Sequence, residues 1–123
     1  MSQQWIEVEA GSLASNMRVF RELVGPDVIL APVVKSNGYG HGLGIASRAF
    51  VAGGADWLCV HAHDEAMAVI GLELGVEVLQ LGPVDPSCAA EAMRAGVHLT
   101  FSEPERLEQV LAIAGAASAA SDA

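Results

Sequence analysis

Basic residues are scarce in this chain: six Lys or Arg stand against fifteen Asp or Glu in 123 residues, a formal net charge of −9. Nucleic acids and anionic membranes both call for clustered Lys and Arg, so neither is an expected partner. Cysteine is scarcer still. Cys59 and Cys88 form no Cys-x-x-Cys pair and are too few for a disulfide framework. Cys59 lies in an apolar run and reads as a small core residue. No apolar run approaches the about eighteen residues that a bilayer-spanning helix needs. The opening Met1-Ser2-Gln3-Gln4-Trp5-Ile6-Glu7 lacks the basic and apolar regions of a signal peptide. A cytoplasmic chain of one domain is expected, long enough to bury a core.

What the chain does have is alternation. Trp5 to Glu9 alternates apolar and acidic residues, which suits a short edge strand. Ser12 is placed to cap a helix with Leu13, Met17, Phe20 and Val24 at helical spacing, stopped by Gly25-Pro26. Val28 to Val34 is β-branched and apolar enough to read as a strand buried on both faces, although Pro32 removes a ladder donor. After a glycine-rich loop the pattern predicts helices over 43–53, 63–74, 86–95 and 103–114, with strands over 56–60, 76–81 and 97–101 between them. Residues 115–123 are an Ala/Ser tail of low complexity with nothing to build a core. Strand ends near Lys35, His61, Gly82 and Ser102 recur about every twenty residues, the spacing of βαβ units in a parallel sheet. Right-handed crossovers put these ends on one side, where parallel α/β proteins bind ligands. Spacing alone leaves half a barrel and an open doubly wound sheet both standing.

The first strand end carries the most chemistry. Val33-Val34-Lys35-Ser36-Asn37-Gly38-Tyr39-Gly40-His41-Gly42 delivers the sole lysine of the chain from an apolar run into a glycine-rich loop. Such a lysine either points into solvent or sits where desolvation frees its amine as a nucleophile or base, as in Schiff-base lysines. The glycines permit positive φ and close approach to a ligand. Their spacing does not match G-x-G-x-x-G and no Gly-Lys-Ser/Thr follows, which excludes the nucleotide-loop readings. A second cluster is His61-Ala62-His63-Asp64-Glu65. On a strand, His61 and His63 would share a face and could hold a metal, with Asp64, Glu65, His41 and His98 the sole further candidate ligands. In the competing reading His63 opens a helix, with Asp64 and Glu65 set against its dipole. His41 is a ligand, a base or a lock on the loop, and His98 a core or surface histidine.

The ten residues Val33 to Gly42 closely resemble the pyridoxal-phosphate lysine motif of the alanine racemase family: Lys, Tyr four residues on, then Gly-His-Gly. An opening strand, a helix carrying an asparagine like Asn16, and Glu65-Ala66 after the second strand fit the same family. Ser36 and Gly38 depart from its usual Ala and Ala or Asp. The resemblance implies an α/β fold in which parallel β/α units form about half of a TIM-type (β/α)8 barrel. Residues 1–114 would be the amino-terminal half of the cofactor-binding barrel and 115–123 a tail, with the other half and a β-domain lying outside the chain. It implies racemisation of L-alanine to D-alanine for peptidoglycan by a homodimer. Lys35 would then be the covalent attachment point of pyridoxal 5′-phosphate and one of two bases on opposite faces of the substrate. Tyr39 matches the tyrosine whose hydroxyl contacts the cofactor phosphate; Val33 and Leu81 match apolar positions beneath or beside the ring. His41 belongs to the motif without being the base, and no metal is implied. The second base, a tyrosine of the partner subunit's β-domain, has no counterpart here. Nor do the arginine facing the pyridine nitrogen, the histidine against the ring and most of the phosphate cup. The chain alone is therefore expected to be inactive. Tyr-Gly-His-Gly separates this type from amino-acid decarboxylases and small single-domain barrels without fixing the amino acid. Two further classes stand beside it: a metal-dependent barrel hydrolase using His61 and His63, and a non-catalytic truncated product.

Overall fold

The computed structural model describes residues 3–121. In chain order these form α1 (Ala10–Val24), α2 (Lys35–Tyr39), α3 (Leu43–Ala52), β1 (Trp57–Val60), α4 (His63–Ile70), β2 (Glu77–Gln80), α5 (Pro86–Arg94), β3 (His98–Leu99) and α6 (Pro104–Ser121). The strands are parallel and lie in the order β1-β2-β3. Strand therefore alternates with helix from β1 onward, as the twenty-residue spacing predicts.

Alternation along each strand sorts the side chains into two faces. Leu58, Val60 and Val78 are buried with Ala46, Ala66, Val69 and Ala92 of the covering helices. Burying a side chain the size of Leu58 contributes about 1.5–3 kcal/mol, so this layer is the main source of stability. Trp57, Cys59, Leu79 and His98 take the opposite face. Although β2 runs between their strands, the Trp57 and His98 rings meet with centroids 4.4 Å apart and planes tilted by 30°. They lean together over β2, as on the inner wall of a curving sheet. A smaller cluster, Val84, Ala89 and Val110, joins α5 to α6.

Three expectations need correction. Residues 3–9 form no strand: Trp5 and Ile6 are 73% and 82% exposed, with no sheet edge beside them to pair with. Nor is Val28–Val34 a full strand buried on both faces. Residues 30–34 do run beside β1, since Asp56 N donates to Leu30 O (2.8 Å), Cys59 N to Pro32 O (2.9 Å) and Val34 N to Cys59 O (2.8 Å). Only one bridge forms, Val33 with Cys59. Pro32 has no N–H to give the facing carbonyl, which breaks the ladder after one rung, and Val28 and Ile29 stay exposed. The four strands expected from Val28 onward are thus three strands and one bridged segment. Ser12 does not cap α1 either. Glu9 holds that position, and the Ser12 hydroxyl donates to the Glu9 carboxylate at 2.8 Å. Two helix ends also differ from the pattern: α4 stops at Gly71 rather than near Leu74, and α6 runs on through residues 115–121.

At the end of the sheet away from the candidate site, Arg21 acts as a clamp. Its guanidinium donates to the carbonyls of Gly25, Val28 and Gly54 and to the carboxylate of Asp56. Asp56 also accepts from Leu30 N at 2.8 Å. The backbone N–H of Leu30, and then Arg21, hold the Asp56 carboxyl below the usual carboxylate range.

Candidate functional site

Register places the site. Val33 pairs with Cys59 and Cys59 with Leu79, one row across the face away from the helices. Val34 is fully buried on the helix side. Alternation therefore carries Lys35, His61 and Leu81 one step beyond that row, at the ends of three neighbouring parallel segments. Val33 and Lys35 lie on one segment and Leu81 on the next but one, with β1 between. Leu81 N still donates to Val60 O at 2.8 Å, and the Leu81 side chain is 41% exposed.

Past Lys35 the chain winds the wrong way for L-residues. Ser36 (φ 54°), Asn37 (φ 54°), Gly38 (φ 64°) and Tyr39 (φ 54°) form a turn of left-handed helix. Each ordinary residue in that conformation costs about 1–2 kcal/mol, so the turn stands only because its surroundings hold it. Gly38 N donates back to Val34 O at 2.8 Å. Asn37 tolerates the left-handed region better than most residues, and its carbonyl accepts from Gly42 N (2.9 Å) while its side-chain oxygen accepts from Leu43 N (2.9 Å), tying the turn to the start of α3. Gly38 suits its place: a Cβ there would stand 3.0 Å from the Cβ of Ala46, tighter than ordinary packing, so a larger residue would have to push the start of α3 aside. The His41 backbone N–H donates to Gly38 O, and its Nδ1 lies 3.1 Å from the same oxygen, which makes His41 a lock on the loop.

Two side chains are left available. Among the described residues the Lys35 amine has no hydrogen bond or ion pair, and Tyr39 is 60% exposed with its hydroxyl unengaged. A free primary amine and a phenol stand four residues apart on one strained turn, at the end where parallel α/β proteins bind ligands.

One residue that the sequence marks as a candidate metal ligand, a partner of the helix dipole and part of the Glu65-Ala66 match has a further role in the structure. Glu65, in the first turn of α4, accepts at Oε1 from His61 N and Ala62 N (both 3.0 Å) and at Oε2 from Ser36 N (2.7 Å). Its position three residues after the helix cap signals the bond to Ala62; nothing local signals the bond to Ser36.

His61 and His63 do not share a strand face, because β1 ends at Val60 and His63 begins α4. His63 Nε2 pairs with Glu91 Oε2 at 2.9 Å and its Nδ1 is buried without a partner. A cavity of about 350 Å³ lies beside them, reaching Asp85 and Cys88. Among the described residues no three His, Cys, Asp or Glu side chains converge as a metal site needs. Asp85 is engaged as the cap of α5, accepting from Ser87 N (2.9 Å) and Ser87 Oγ (2.8 Å), and those bonds lower its pKa. Burial raises the pKa of the Cys59 thiol, in keeping with a core role.

Residues 8–121 match the family described as alanine racemase, N-terminal domain. The chain is 33% identical over 110 residues to an alanine racemase of Desulforamulus reducens, covering 89% of this chain and 30% of that protein. It is 33% identical over 109 residues to an alanine racemase of Geobacillus stearothermophilus, covering 89% and 28%. The chain thus spans under a third of the length of these curated relatives. Among solved structures it resembles alanine racemase from Bacillus anthracis with bound L-Ala-P (TM-score 0.80, 30% identity, 85% of this chain and 27% of that one). It also resembles histidine racemase from Leuconostoc mesenteroides (TM-score 0.74, 27% identity, 82% and 27%).

Proposed function

From the premise that the chain belongs to the alanine racemase family, matching its amino-terminal domain, we propose that Lys35 is the covalent attachment point of pyridoxal 5′-phosphate in an amino-acid racemase. One observation carries the reading: the sole lysine, its amine unpartnered, stands at the strand ends on a strained turn that also presents Tyr39. The residues fit the group. An unpaired amine suits an aldehyde, an unengaged phenol hydroxyl suits a phosphate, and Val33 and Leu81 offer apolar surface on the same end of the sheet.

When bound, this cofactor withdraws electrons from the substrate's Cα and so makes its C–H bond acidic. The chain's own part is simpler. Lys35 Nζ holds the cofactor and, once released, takes or returns a proton at Cα from one side. Tyr39 fixes the phosphate and with it the distance from Lys35 to the reacting carbon. Val33 and Leu81 keep water from the apolar surface. Racemisation needs a second proton-carrying group opposite Lys35, and Tyr39, the sole tyrosine, is on the same turn as the lysine. In this reading the second group is supplied by a part of the enzyme outside these 123 residues.

Alanine is the substrate we favour because the relatives above carry that name. The likeness to a histidine racemase is consistent with a half-barrel that carries the cofactor while the rest of the enzyme selects the amino acid. The full-length enzyme is read as a cytoplasmic homodimer, as the family implies; among the described residues no helix is long and apolar enough to cross a membrane. Binding and turnover should separate in this chain. Mixed with pyridoxal phosphate and L-alanine, it should change the cofactor's absorbance, lose that change in Lys35→Ala, and make no D-alanine by chiral chromatography. D-alanine formed at an ordinary enzymatic rate, about 1–10³ per second, or cofactor uptake undiminished in Lys35→Ala, would sink the reading.

A further inference from the structure

We infer that Glu65 is the positioning residue for Lys35 and Tyr39: its carboxylate stands in for the strand ladder where the lysine turn begins. The ladder between residues 30–34 and β1 runs Cys59 N to Pro32 O, then Val34 N to Cys59 O. Continued by the same alternation, its next rungs would be His61 N to Val34 O and Ser36 N to His61 O. Neither forms. Val34 O is taken by Gly38 N at 2.8 Å, and His61 O by Gly82 N at 2.9 Å. The two N–H groups left over, His61 N and Ser36 N, both go to Glu65, one to each carboxylate oxygen. Gly82 makes this possible, since a Cβ there would overlap the His61 carbonyl oxygen.

Two arrangements of the same segment therefore compete. In one the ladder continues and residues 35–39 extend. In the other the chain turns left-handed at Ser36 and the carboxylate satisfies the stranded donors. Rise per residue is about 3.3 Å in the first and about 1.5 Å in a helical turn. Over the four residues from Lys35 to Tyr39 that is about 13 Å against about 6 Å. The turn halves the backbone separation between the lysine and the tyrosine that are to hold one small cofactor, so Glu65 serves the site without touching it. This part of the inference rests on the function proposed above; the choice between turn and ladder does not.

The side chain must accept on both sides. Gln at 65 keeps the size and one acceptor oxygen but turns an NH₂ toward an N–H, and Asp is one methylene shorter. The test compares the wild-type chain with Glu65→Gln, Glu65→Asp and Glu65→Ala. Amide hydrogen exchange is read at Gly38 and Cys59, and pyridoxal phosphate affinity by absorbance. Loss of one charge-assisted bond predicts that Glu65→Gln exchanges the Gly38 amide about tenfold faster and binds pyridoxal phosphate about tenfold more weakly. The Cys59 amide, inside the ladder, should keep its protection. Glu65→Asp should fall short of wild type in both readouts. Faster exchange with unchanged affinity would make Glu65 structural only and overturn the inference, as would Glu65→Gln matching wild type in both. Should Glu65→Ala fail to fold, the near-isosteric Gln variant carries the test; unfolding of that variant too would overturn it. A wild-type chain that takes up no pyridoxal phosphate counts against the proposed function, and the Gly38 exchange still decides whether Glu65 holds the turn.

Discussion

Tyr39 sits in a backbone conformation that costs an aromatic residue free energy, yet its ring is mostly exposed and its hydroxyl has no partner among the described residues. A phosphate ligand would explain why a tyrosine is there. Tyr39→Phe removes one hydrogen bond to a charged group and nothing from the core. Cofactor affinity should fall by about 1–2 kcal/mol with the thermal midpoint unchanged; unaltered affinity would remove the proposed role. Lys35 and Tyr39 were legible in the sequence because the strand-Lys-loop pattern is contiguous. The left-handed turn between them was legible only as permission, through Gly38, Gly40 and Gly42. That Ser36, Asn37 and Tyr39 also take positive φ depends on Glu65, whose bond to Ser36 spans 29 residues. No local pattern encodes such a contact.

Among the elements, the helices and the later strands followed their periodicity, with ends shifted by a few residues. The errors have two causes, an absent neighbour that local pattern does not reveal and a proline that it does. Trp5 to Glu9 has strand alternation but no neighbour, and residues 28–34 have strand composition but a proline where a rung is needed. At the other end of the sheet, Arg21 and Asp56 join α1, the segment before Lys35 and the start of β1. The folded state lowers the Asp56 pKa below its unfolded value, near 4. Its contribution is thus fully present above about pH 4 and is lost as pH falls through the lower folded-state value. Urea midpoints should show Asp56→Asn weaker than wild type at neutral pH, with the gap closing in acid. A gap that is the same at every pH would exclude the ionised clamp.

For the whole molecule, strand order separates the two architectures that spacing left open. Each strand lies beside the next in sequence, always outward in the same direction, and residues 30–34 occupy the place before β1. A doubly wound sheet reverses its order at a switch point; this sheet has none and curls toward the face that carries Trp57 and His98. It is an arc of a barrel with two open edges. Exposed Val19, Phe20 and Leu23 of α1, with Val28 and Ile29, flank one edge, and Leu107 and Leu111 of α6 the other. In a closed barrel, further strands and helices would lie against such flanks.

The proposed function rests on Lys35, and its being the sole lysine makes the measurement clean. The chain is incubated with pyridoxal phosphate, reduced with borohydride to make any attachment permanent, digested and mapped by mass spectrometry. One cofactor per chain is expected, on Lys35, and none after Lys35→Ala. Attachment confined to the terminal amine, or none at all in the folded chain, would contradict the proposed function.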